Sequence, residues 1–443
     1  MDSHWKRTYW VVWTANLVTS IGMMSFLPFF PSLLEEMGVE GKVAISRWSG
    51  VCFAAAPLSA TISAPLWGAI GDRFGRKVMV CRSMVAIAVF VGGMGFVSTP
   101  MQLLMMRLGQ GMFSGFIPPS ITLVSIGAPA DRQGRIAGNL ATALAVGGLL
   151  GPMLGGLIAE TLGSRQSVFF VVGALGLASA LLVWFGAVED KSKRRSSTGE
   201  RPSVGAVLRA TGRDIGDVFR NPALRATVLV VFALQFGLGA INPVLELYVH
   251  DLFVGVDLEG SLWQPLTAFV GSDGSDLRGR TETLATSLLF GVMAIANLLA
   301  LSPWGRYGDS IGHRRALVHC GILAMLALTI QSAAAVYAVL LLGRFVMGVG
   351  MAGIGPLAFG LAAGEASADR RGGTFGVVFA ARTFAVATGG VIGGVLYPVI
   401  GARGVMLGSA VLILVTLVVF RSGSGERGAD CGGGLRGRTD RAD

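Results

Sequence analysis

Four charged side chains lie inside stretches of the sequence that are otherwise apolar. Three are the arginines Arg107, Arg344 and Arg382, and the fourth is Glu246, toward the end of its stretch. Because a charge in hydrocarbon is costly, each of these groups must face a partner or a water-filled cavity. Such residues mark substrate pathways, ion pathways and proton relays in membrane proteins, so they predict binding and proton movement.

Polar neighbours extend this set. Gln110 follows Arg107 by three residues, which puts both side chains on one face of a helix. Asn16, Gln235 and Asn242 are further polar residues in apolar stretches, where they can anchor a substrate. The candidates for coupling or substrate binding are therefore Arg107, Gln110, Glu246, Arg344, Arg382, Asn16, Gln235 and Asn242.

The balance of these charges bears on the ligand. Three cations against one carboxylate predict a central cavity that is neutral to positive. Such a cavity favours neutral or anionic amphiphiles over bulky organic cations. Adaptable apolar contact around the polar anchors is expected from Met23, Met24, Phe26, Phe113, Phe116, Phe236 and Met351.

Residues typical of enzymes and cofactor sites are scattered. The cysteines lack the paired spacing of a metal site, and so do His4, His250, His313 and His319. The segment 348–353 matches a dinucleotide-binding fingerprint, but it lies inside an apolar stretch with no strand before it. We therefore predict no metal, no cofactor and no enzymatic activity.

Long apolar stretches must position these residues. Of the 443 residues, 52% are hydrophobic and 14% charged, and the mean hydropathy is +0.65, which indicates a membrane protein. A helix needs roughly 20 residues to cross a bilayer. Stretches of this kind occur at 8–31, 48–70, 79–98, 102–125, 138–158, 168–188, 226–249, 283–303, 317–335, 338–363, 374–397 and 404–420. We expect an all-α membrane protein with twelve transmembrane helices.

Basic residues are unevenly distributed among the loops between these stretches. If the N-terminus is cytoplasmic, 27 of the 36 lysines and arginines fall on the cytoplasmic side and six on the opposite side. The positive-inside rule then places both termini in the cytoplasm and the chain in the plasma membrane, the inner membrane of a bacterium. This distribution explains the net charge of +10 without a nucleic-acid partner.

One segment of the sequence occurs twice. Residues 67–77, WGAIGDRFGRK, return as residues 304–314, WGRYGDSIGHR, and the same offset of 237 carries Arg107 onto Arg344. The repeat predicts two pseudo-symmetric six-helix bundles, an architecture of transporters. The expected units are an N-terminal bundle at 1–188, a cytoplasmic linker at 189–225, a C-terminal bundle at 226–420 and a disordered cytoplasmic tail at 421–443.

The repeated segment connects the second stretch to the third, and the eighth to the ninth. Its glycines permit a tight reversal, and Asp72 and Arg76 can pair across the turn. The segment resembles the signature loop of the major facilitator superfamily, whose fold has two such bundles. The resemblance implies a conformational latch made of Gly68, Gly71, Asp72, Arg73, Gly75, Arg76, Lys77, Gly308, Asp309 and Gly312.

The resemblance also implies how the latch works. By analogy with the family, Asp72 faces the positive N-terminal end of the eleventh helix, near Gly373 and Thr374, and holds the bundles in one access state. The second copy has a serine and a histidine at the positions of Arg73 and Arg76. Its latch is therefore expected to be weaker, and the gate asymmetric.

A glycine and proline motif occurs in the fifth stretch. Gly147, Gly151 and Gly155 recur every four residues and share a helix face, which permits close packing, and Pro152 removes a backbone hydrogen bond. With Gly156, this motif is similar to that of the drug:proton antiporter branch of the superfamily. Segments at 5–7, 48–50, 63–65 and 241–245 further resemble the MdtG-like multidrug exporters.

The resemblance implies a function as well as a fold. It predicts a secondary active transporter that exports small amphiphilic compounds by alternating access in exchange for protons. The alternatives are a proton-coupled importer of a sugar or organic acid and, from another class, a non-transporting membrane sensor. The expected partners are a small-molecule substrate, protons and the lipid bilayer, with no nucleic acid, and the protein is expected to be a monomer.

Overall fold

A computed structural model describes residues 2–127, 133–189, 204–254, 277–366 and 371–422. Within these ranges every regular element is a helix. Most of the tail predicted at 421–443 lies outside the described residues, as does part of the linker. We number the α-helices in chain order.

The N-terminal half is an array of long helices. Its α-helices are α1 (Asp2–Ser25), α2 (Phe30–Glu36), α3 (Lys42–Phe74), α4 (Arg76–Gly93), α5 (Pro100–Phe113), α6 (Ile117–Gly127), α7 (Gln133–Thr161) and α8 (Gln166–Gly186). Short 3₁₀ turns occur at Leu27–Phe29 and Met94–Phe96. Local signals set several boundaries. For example, Pro100 opens α5, and the Thr99 side chain caps it by accepting the Gln102 amide hydrogen.

The linker and the C-terminal half follow. Their α-helices are α9 (Val204–Arg220), α10 (Pro222–Ile241), α11 (Leu245–Phe253), α12 (Leu277–Ile311), α13 (His313–Ser332), α14 (Tyr337–Ala352), α15 (Ile354–Glu365) and α16 (Arg371–Ser422). A 3₁₀ turn at Asn242–Val244 joins α10 to α11. Each half packs around its own apolar core, which in the N-terminal half includes Met84 and in the C-terminal half Leu234.

The described residues contain nine stretches that are long and apolar enough to cross a membrane. The last of them, Gly373–Arg421, holds two passes, because Gly401 has a left-handed φ of 66° that separates two helices within α16. The second pass is α3, and the fourth is divided between α5 and α6. Counted in this way, the described part of the chain has the twelve passes that the sequence predicts.

Passes 1, 4, 7 and 10 are each interrupted. A 3₁₀ turn with Pro28 separates α1 from α2, and one with Pro243 separates α10 from α11. Proline lacks the amide hydrogen that a continuous helix needs. Pass 4 breaks between α5 and α6, and pass 10 breaks at Gly353 between α14 and α15. Interrupted helices expose backbone groups at the binding sites of many transporters, so these breaks indicate where a site can form.

The two copies of the repeated segment have the same structure. The indole N–H of Trp67 donates a hydrogen bond to the carbonyl of Met112 (2.6 Å), and that of Trp304 donates to the carbonyl of Val349 (2.7 Å). The two donors are 237 residues apart, and so are the two acceptors, which is the offset of the repeat. In each half, the bond ties one pass to the pass two positions further along the chain.

A single glycine makes the chain reversal in each copy. Gly75 and Gly312 have left-handed φ angles of 100° and 91°, which a side chain would strain, and they directly precede α4 and α13. The glycine pattern predicts Gly68 and Gly71 in the turn, but both lie inside α3, which continues to Phe74. The reversal is therefore tighter than the glycine pattern predicts.

Candidate functional site

The two halves pack directly against each other at one side of the molecule. We call the side that carries the repeated segments the inner side, and the opposite side the outer side. In the outer half of the passes, α3 meets α16 so closely that a Cβ added to Gly50 would lie 2.4 Å from the carbonyl oxygen of Gly390. Likewise, α7 meets α12 where a Cβ on Gly156 would lie 2.7 Å from Ser287 Oγ. These contacts close the outer side.

A carboxylate lies within this outer contact. Glu246, in the first turn of α11, is 9% exposed and accepts two hydrogen bonds from Ser32 of α2. The Ser32 amide donates over 3.1 Å and the Ser32 hydroxyl over 2.5 Å. We call this pair the outer lock, because it joins pass 1 of one half to pass 7 of the other.

A cation lies close to the outer lock. Arg165, between α7 and α8, donates a hydrogen bond to Glu36 at the end of α2. Burial acts to lower the pKa of the Arg165 guanidinium. The Glu36 hydrogen bond and the negative charges of Glu246 and Glu36 outweigh this effect and raise that pKa above its ordinary value. Arg165 is therefore a permanent positive charge facing the lock.

An ion pair also crosses between the halves at the outer side. Lys42, at the start of α3, lies 2.6 Å from Asp251 of α11, and Tyr397 of α16 donates a hydrogen bond to the same carboxylate (2.9 Å). The Lys42 and Asp251 side chains are 58% and 40% exposed, so water screens this pair. The buried outer lock is therefore the stronger candidate for controlling closure.

Arg107 is fully bound to protein groups. Its side chain is 3% exposed in pass 4, and Nε donates to the carbonyl of Cys52 (3.0 Å) while Nη2 donates to the carbonyl of Phe53 (3.2 Å). Nη1 donates to Gln110, the neighbour predicted on the same helix face. Every guanidinium nitrogen has a partner, so Arg107 ties α5 to α3.

Arg344, the counterpart of Arg107 in the repeat, is bound differently. It is fully buried in pass 10, and Nη1 donates to Asn242 Oδ1 (3.1 Å), at the break in pass 7, and lies 3.6 Å from Met293 Sδ. Its guanidinium carbon is 5.6 Å from the ring centre of Phe290. Within the described part of the chain, neither Nε nor Nη2 has a hydrogen-bond partner. Arg344 is therefore a buried cation with free donors.

The other predicted polar candidates lie in different environments. Asn16 is fully buried and accepts a hydrogen bond from Ser120 (3.0 Å), inside the N-terminal half. Gln235 is buried in α10. Arg382 lies in the first pass of α16 and is exposed, whereas Arg107 and Arg344 are buried. An exposed arginine can still face a water-filled cavity, so the predicted charge of the central cavity stays a prediction.

Several aromatic and methionine residues expected to contact substrate belong to the core instead. Phe26, Phe116 and Met351 are buried. The guanidinium carbon of Arg107 lies 5.6 Å from the ring centre of Phe26, so this ring packs beside a bound arginine. These three side chains pack within the protein in this structure, and their contact with substrate stays a prediction.

The glycine motif of pass 5 packs on pass 1. A Cβ added to Gly151 would lie 2.7 Å from the carbonyl oxygen of Ile21, and one added to Gly155 would lie 1.9 Å from that of Ser25. Gly147 similarly faces Ser20, and Pro152 is buried inside α7. The shared face predicted from the four-residue spacing is the contact surface with α1.

Gly155→Ala should destabilise the protein, whereas Gly148→Ala should not. The new methyl group at 155 would meet the Ser25 carbonyl, and overpacking of this kind costs about 1–3 kcal/mol. Gly148, on the same helix, has nothing within 4 Å of an added Cβ and is the matched control. Thermal unfolding in detergent measures the difference, and equal melting temperatures for the two variants would contradict the packing described here.

The latch residues are only partly described. The side chains of Asp72 and Arg73 and the surroundings of Gly68 and Gly71 are not among the described parts of the chain, and neither is the contact predicted between Asp72 and the start of the eleventh helix. In the second copy, Asp309 Oδ1 lies 3.6 Å from His313 Nε2. This separation is at the long end for an ion pair, and Asp309 is 76% exposed.

Another carboxylate caps the helix that follows the first latch. Glu189, at the end of the N-terminal half, accepts hydrogen bonds from the backbone amides of Arg76 (2.8 Å) and Lys77 (3.2 Å). The first amides of a helix have no acceptor within the helix itself, and a negative charge is favourable at this end. The first latch is therefore tied to the beginning of the linker.

The comparison with known families agrees with this architecture. The sequence matches the family model described as Major Facilitator Superfamily over residues 12–272 and 280–429. The chain belongs to the major facilitator superfamily. The resemblance drawn from the repeated segment is therefore confirmed, and this superfamily member is a multi-pass membrane transporter of a small molecule.

This superfamily transporter has relatives named for drug resistance. It is 31% identical over 327 residues to the multidrug resistance protein MdtG of Dickeya zeae (strain Ech586). The matched residues make up 73% of this chain and 71% of the relative. It is 28% identical over 359 residues to the multi-drug resistance efflux pump PmrA of Streptococcus pneumoniae, covering 80% of each chain. The resemblance to the MdtG-like proteins is also confirmed.

A solved structure confirms the fold of this superfamily transporter. The crystal structure of the nucleoside transporter NupG has a TM-score of 0.71 to this chain at 13% identity, covering 94% of this chain and 98% of NupG. At that identity the likeness concerns the fold alone. The predicted fold class, an all-α major facilitator fold of two bundles, is confirmed.

Sequence reasoning missed the partners of two candidates. Ser32 was not singled out, although it lies beside Pro31 at a break in pass 1 and contacts Glu246 at the break in pass 7. Prolines in two apolar stretches, one in each half, were the available signal for these breaks. The sequence indicates Glu189 only as the first residue of the linker, because no local pattern shows that it caps a distant helix.

Proposed function

We propose that this transporter exports small amphiphilic compounds by alternating access in exchange for protons. The observation that carries the proposal is the outer lock, a buried carboxylate in the contact that closes the outer side. Glu246 touches the opposite half through both hydrogen bonds from Ser32. Ionisable residues within membrane segments commonly relay protons, and one at the interface of two moving halves can link protonation to their separation.

Proton uptake acts on the two bonds of the outer lock. An ionised carboxylate accepts hydrogen bonds at both oxygens, and charge-assisted bonds are about twice as strong as neutral ones. Protonation removes the charge and makes one oxygen a donor, so the contact between Ser32 and Glu246 weakens. The ionised lock thus holds the outer side closed, and the protonated lock allows it to open.

The surroundings of Arg344 indicate which class of substrate binds. Two of its guanidinium nitrogens are buried without a partner among the described residues, which is costly unless a ligand or water satisfies them. A carboxylate, sulfonate or carbonyl group would accept hydrogen bonds from this cation. We infer that the substrates are amphiphiles with an anionic or strongly accepting polar group, and that bulky organic cations are poorer substrates.

The membrane orientation is part of the same proposal. We infer that both termini face the cytoplasm, because the basic residues concentrate on the inner side, and that the transporter acts as a monomer in the bacterial inner membrane. The latch motifs, including Asp72 and Asp309, then face the cytoplasm. In the variants Asp72→Cys and Asp309→Cys, membrane-impermeant thiol reagents added outside intact cells should modify neither loop.

The similarity to MdtG and PmrA favours export over import. Their names assign both to multidrug resistance or efflux, and the glycine and proline motif of pass 5 is similar to that of the antiporter branch. A proton-coupled importer of a sugar or organic acid would use the same fold in the opposite direction. A non-transporting sensor would bind substrate but show no counterflow in liposomes.

Transport into inside-out membrane vesicles tests the proposal. The lumen of such vesicles corresponds to the cell exterior, so an acidic lumen should drive accumulation of the fluorescent anion anilinonaphthalene sulfonate. Vesicles without the transporter are the control, and a protonophore should abolish the signal. Uptake of the probe by whole cells without accumulation in inside-out vesicles would indicate import and overturn the proposed direction.

A further inference from the structure

The linker helix α9 lies at the inner side, between the two halves. It packs against α3 of the N-terminal half and against α10 and α16 of the C-terminal half. Val218 is the anchor of this packing, because it is 1% exposed and belongs to the core of the C-terminal half. By contrast, Arg209, Arg213 and Arg220 are exposed. One face of α9 is thus packed and another is solvated.

The side chain of Asp214 in α9 lies beside the start of pass 11. Its carboxylate lies directly against Gly373 in the first turn of α16, where an added Cβ would be 2.3 Å from Asp214 Oδ2. The first turn of a helix carries unpaired amide hydrogens and a partial positive charge, so a carboxylate is favourable there. Among the described residues, Asp214 is the carboxylate found at this position.

The position of α9 bears on how the inner side can close. Passes 2 and 11 touch at the outer side, where Gly50 meets Gly390 and Gly394. At the inner side, α9 contacts both α3 and α16, the helices of these same two passes. A helix with its side chains is about 10 Å wide. The inner ends of passes 2 and 11 therefore cannot meet while α9 stays in place.

We propose that α9 is a removable brace, which keeps the inner side open while Asp214 binds the start of α16 and must be displaced before the inner side can close. The linker is also held at its other end, where Glu189 caps α4. A linker fixed at both ends resists separation from the bundles. The contact that must break before the inner side closes is the one between Asp214 and the start of α16. This inference rests on the alternating access proposed above.

Distances between spin labels at the inner ends of the two halves test the brace. Val78 of α4 and Glu365 of α15 are exposed, so Val78→Cys and Glu365→Cys provide one label in each half. Cys52, Cys81 and Cys320 are buried, and Cys431 is replaced by serine. Pulsed electron–electron double resonance on the full-length protein in liposomes then gives the fractions of molecules with a long and with a short distance between the two labels.

Asp214→Asn should increase the ratio of short to long separations about two- to fivefold, because removing a carboxylate from a helix start weakens that contact by a comparable factor. Gly373→Ala should give a similar increase, because its methyl group displaces the carboxylate. Alanine also favours the helical state at this position, so this variant should stay folded. The double variant should equal either single variant, since both act on one contact.

Gly376→Ala is the matched control for Gly373→Ala, because it makes the same change one turn further along α16, where an added Cβ has nothing within 4 Å. An unchanged ratio in Asp214→Asn, or an equal increase in Gly376→Ala, would overturn the brace. A single separation in every variant, with or without anilinonaphthalene sulfonate, would instead contradict alternating access itself. The two failures are therefore distinguishable in one series of measurements.

Discussion

Glu246→Gln should abolish proton coupling while leaving the transporter folded. Glutamine has nearly the same size and still accepts a hydrogen bond from Ser32, but it neither binds nor releases a proton. We expect proton release on addition of substrate to the purified protein to fall at least about tenfold, because the proposed proton carrier no longer titrates. A pH-sensitive dye in weakly buffered solution measures the release.

Two variants separate the proton site from the lock. Glu282→Gln makes the same change in α12, where the carboxylate interacts with His250 within one half (2.9 Å), so proton release should persist. Ser32→Ala keeps the titratable group and removes one bond of the outer lock, so release should persist while the outer side opens more often. Unchanged release in Glu246→Gln would place the coupling at another residue.

Arg344→Gln should reduce transport of anionic amphiphiles about tenfold or more, with little loss of stability. The guanidinium makes one hydrogen bond and one sulfur contact to the described residues, so few protein contacts are lost. Removing a buried, partly unpaired charge also removes its desolvation cost. The free donors proposed to bind substrate are lost at the same time. Uptake of anilinonaphthalene sulfonate and of the cation ethidium into inside-out vesicles gives the comparison.

Arg107→Gln is the matched control from the other half. All three nitrogens of Arg107 are bound, two of them to the carbonyls of Cys52 and Phe53, so its loss should lower the melting temperature more than the loss of Arg344. We expect ethidium transport by Arg344→Gln to be unchanged or raised. Equal losses for the anion and the cation would contradict the assignment of Arg344 to substrate selection.

Much of the fold follows from local patterns in the sequence. Apolar stretches of membrane length predict the passes, and the duplicated segment predicts the duplicated contact of Trp67 with pass 4 and of Trp304 with pass 10. Helix interruptions were harder to predict, because a proline such as Pro243 is tolerated in a continuous membrane helix when neighbours satisfy the freed carbonyl. Only the packing around that position decides between a bent helix and a broken one.

The candidate site was less predictable than the fold. Arg107 and Arg344 are equivalent in the repeat and identical in residue type, yet one has three bound nitrogens and the other has two without partners. Gln110 supplies part of this difference, since methionine stands at the equivalent position 347. The carbonyl groups of Cys52 and Phe53 in α3 supply the other two partners of Arg107. Arg382 differs from both, because its side chain is exposed although it also lies in an apolar stretch.

The sequence by itself determined the membrane location, the number of passes, the duplication and the family, since these properties depend on composition, length and spacing along the chain. The tertiary structure decided which side is closed, that Ser32 binds Glu246, and that α9 separates the inner ends of passes 2 and 11. These contacts join residues that are distant in the chain. No local pattern encodes them, because they depend on how two rigid bundles are oriented relative to each other.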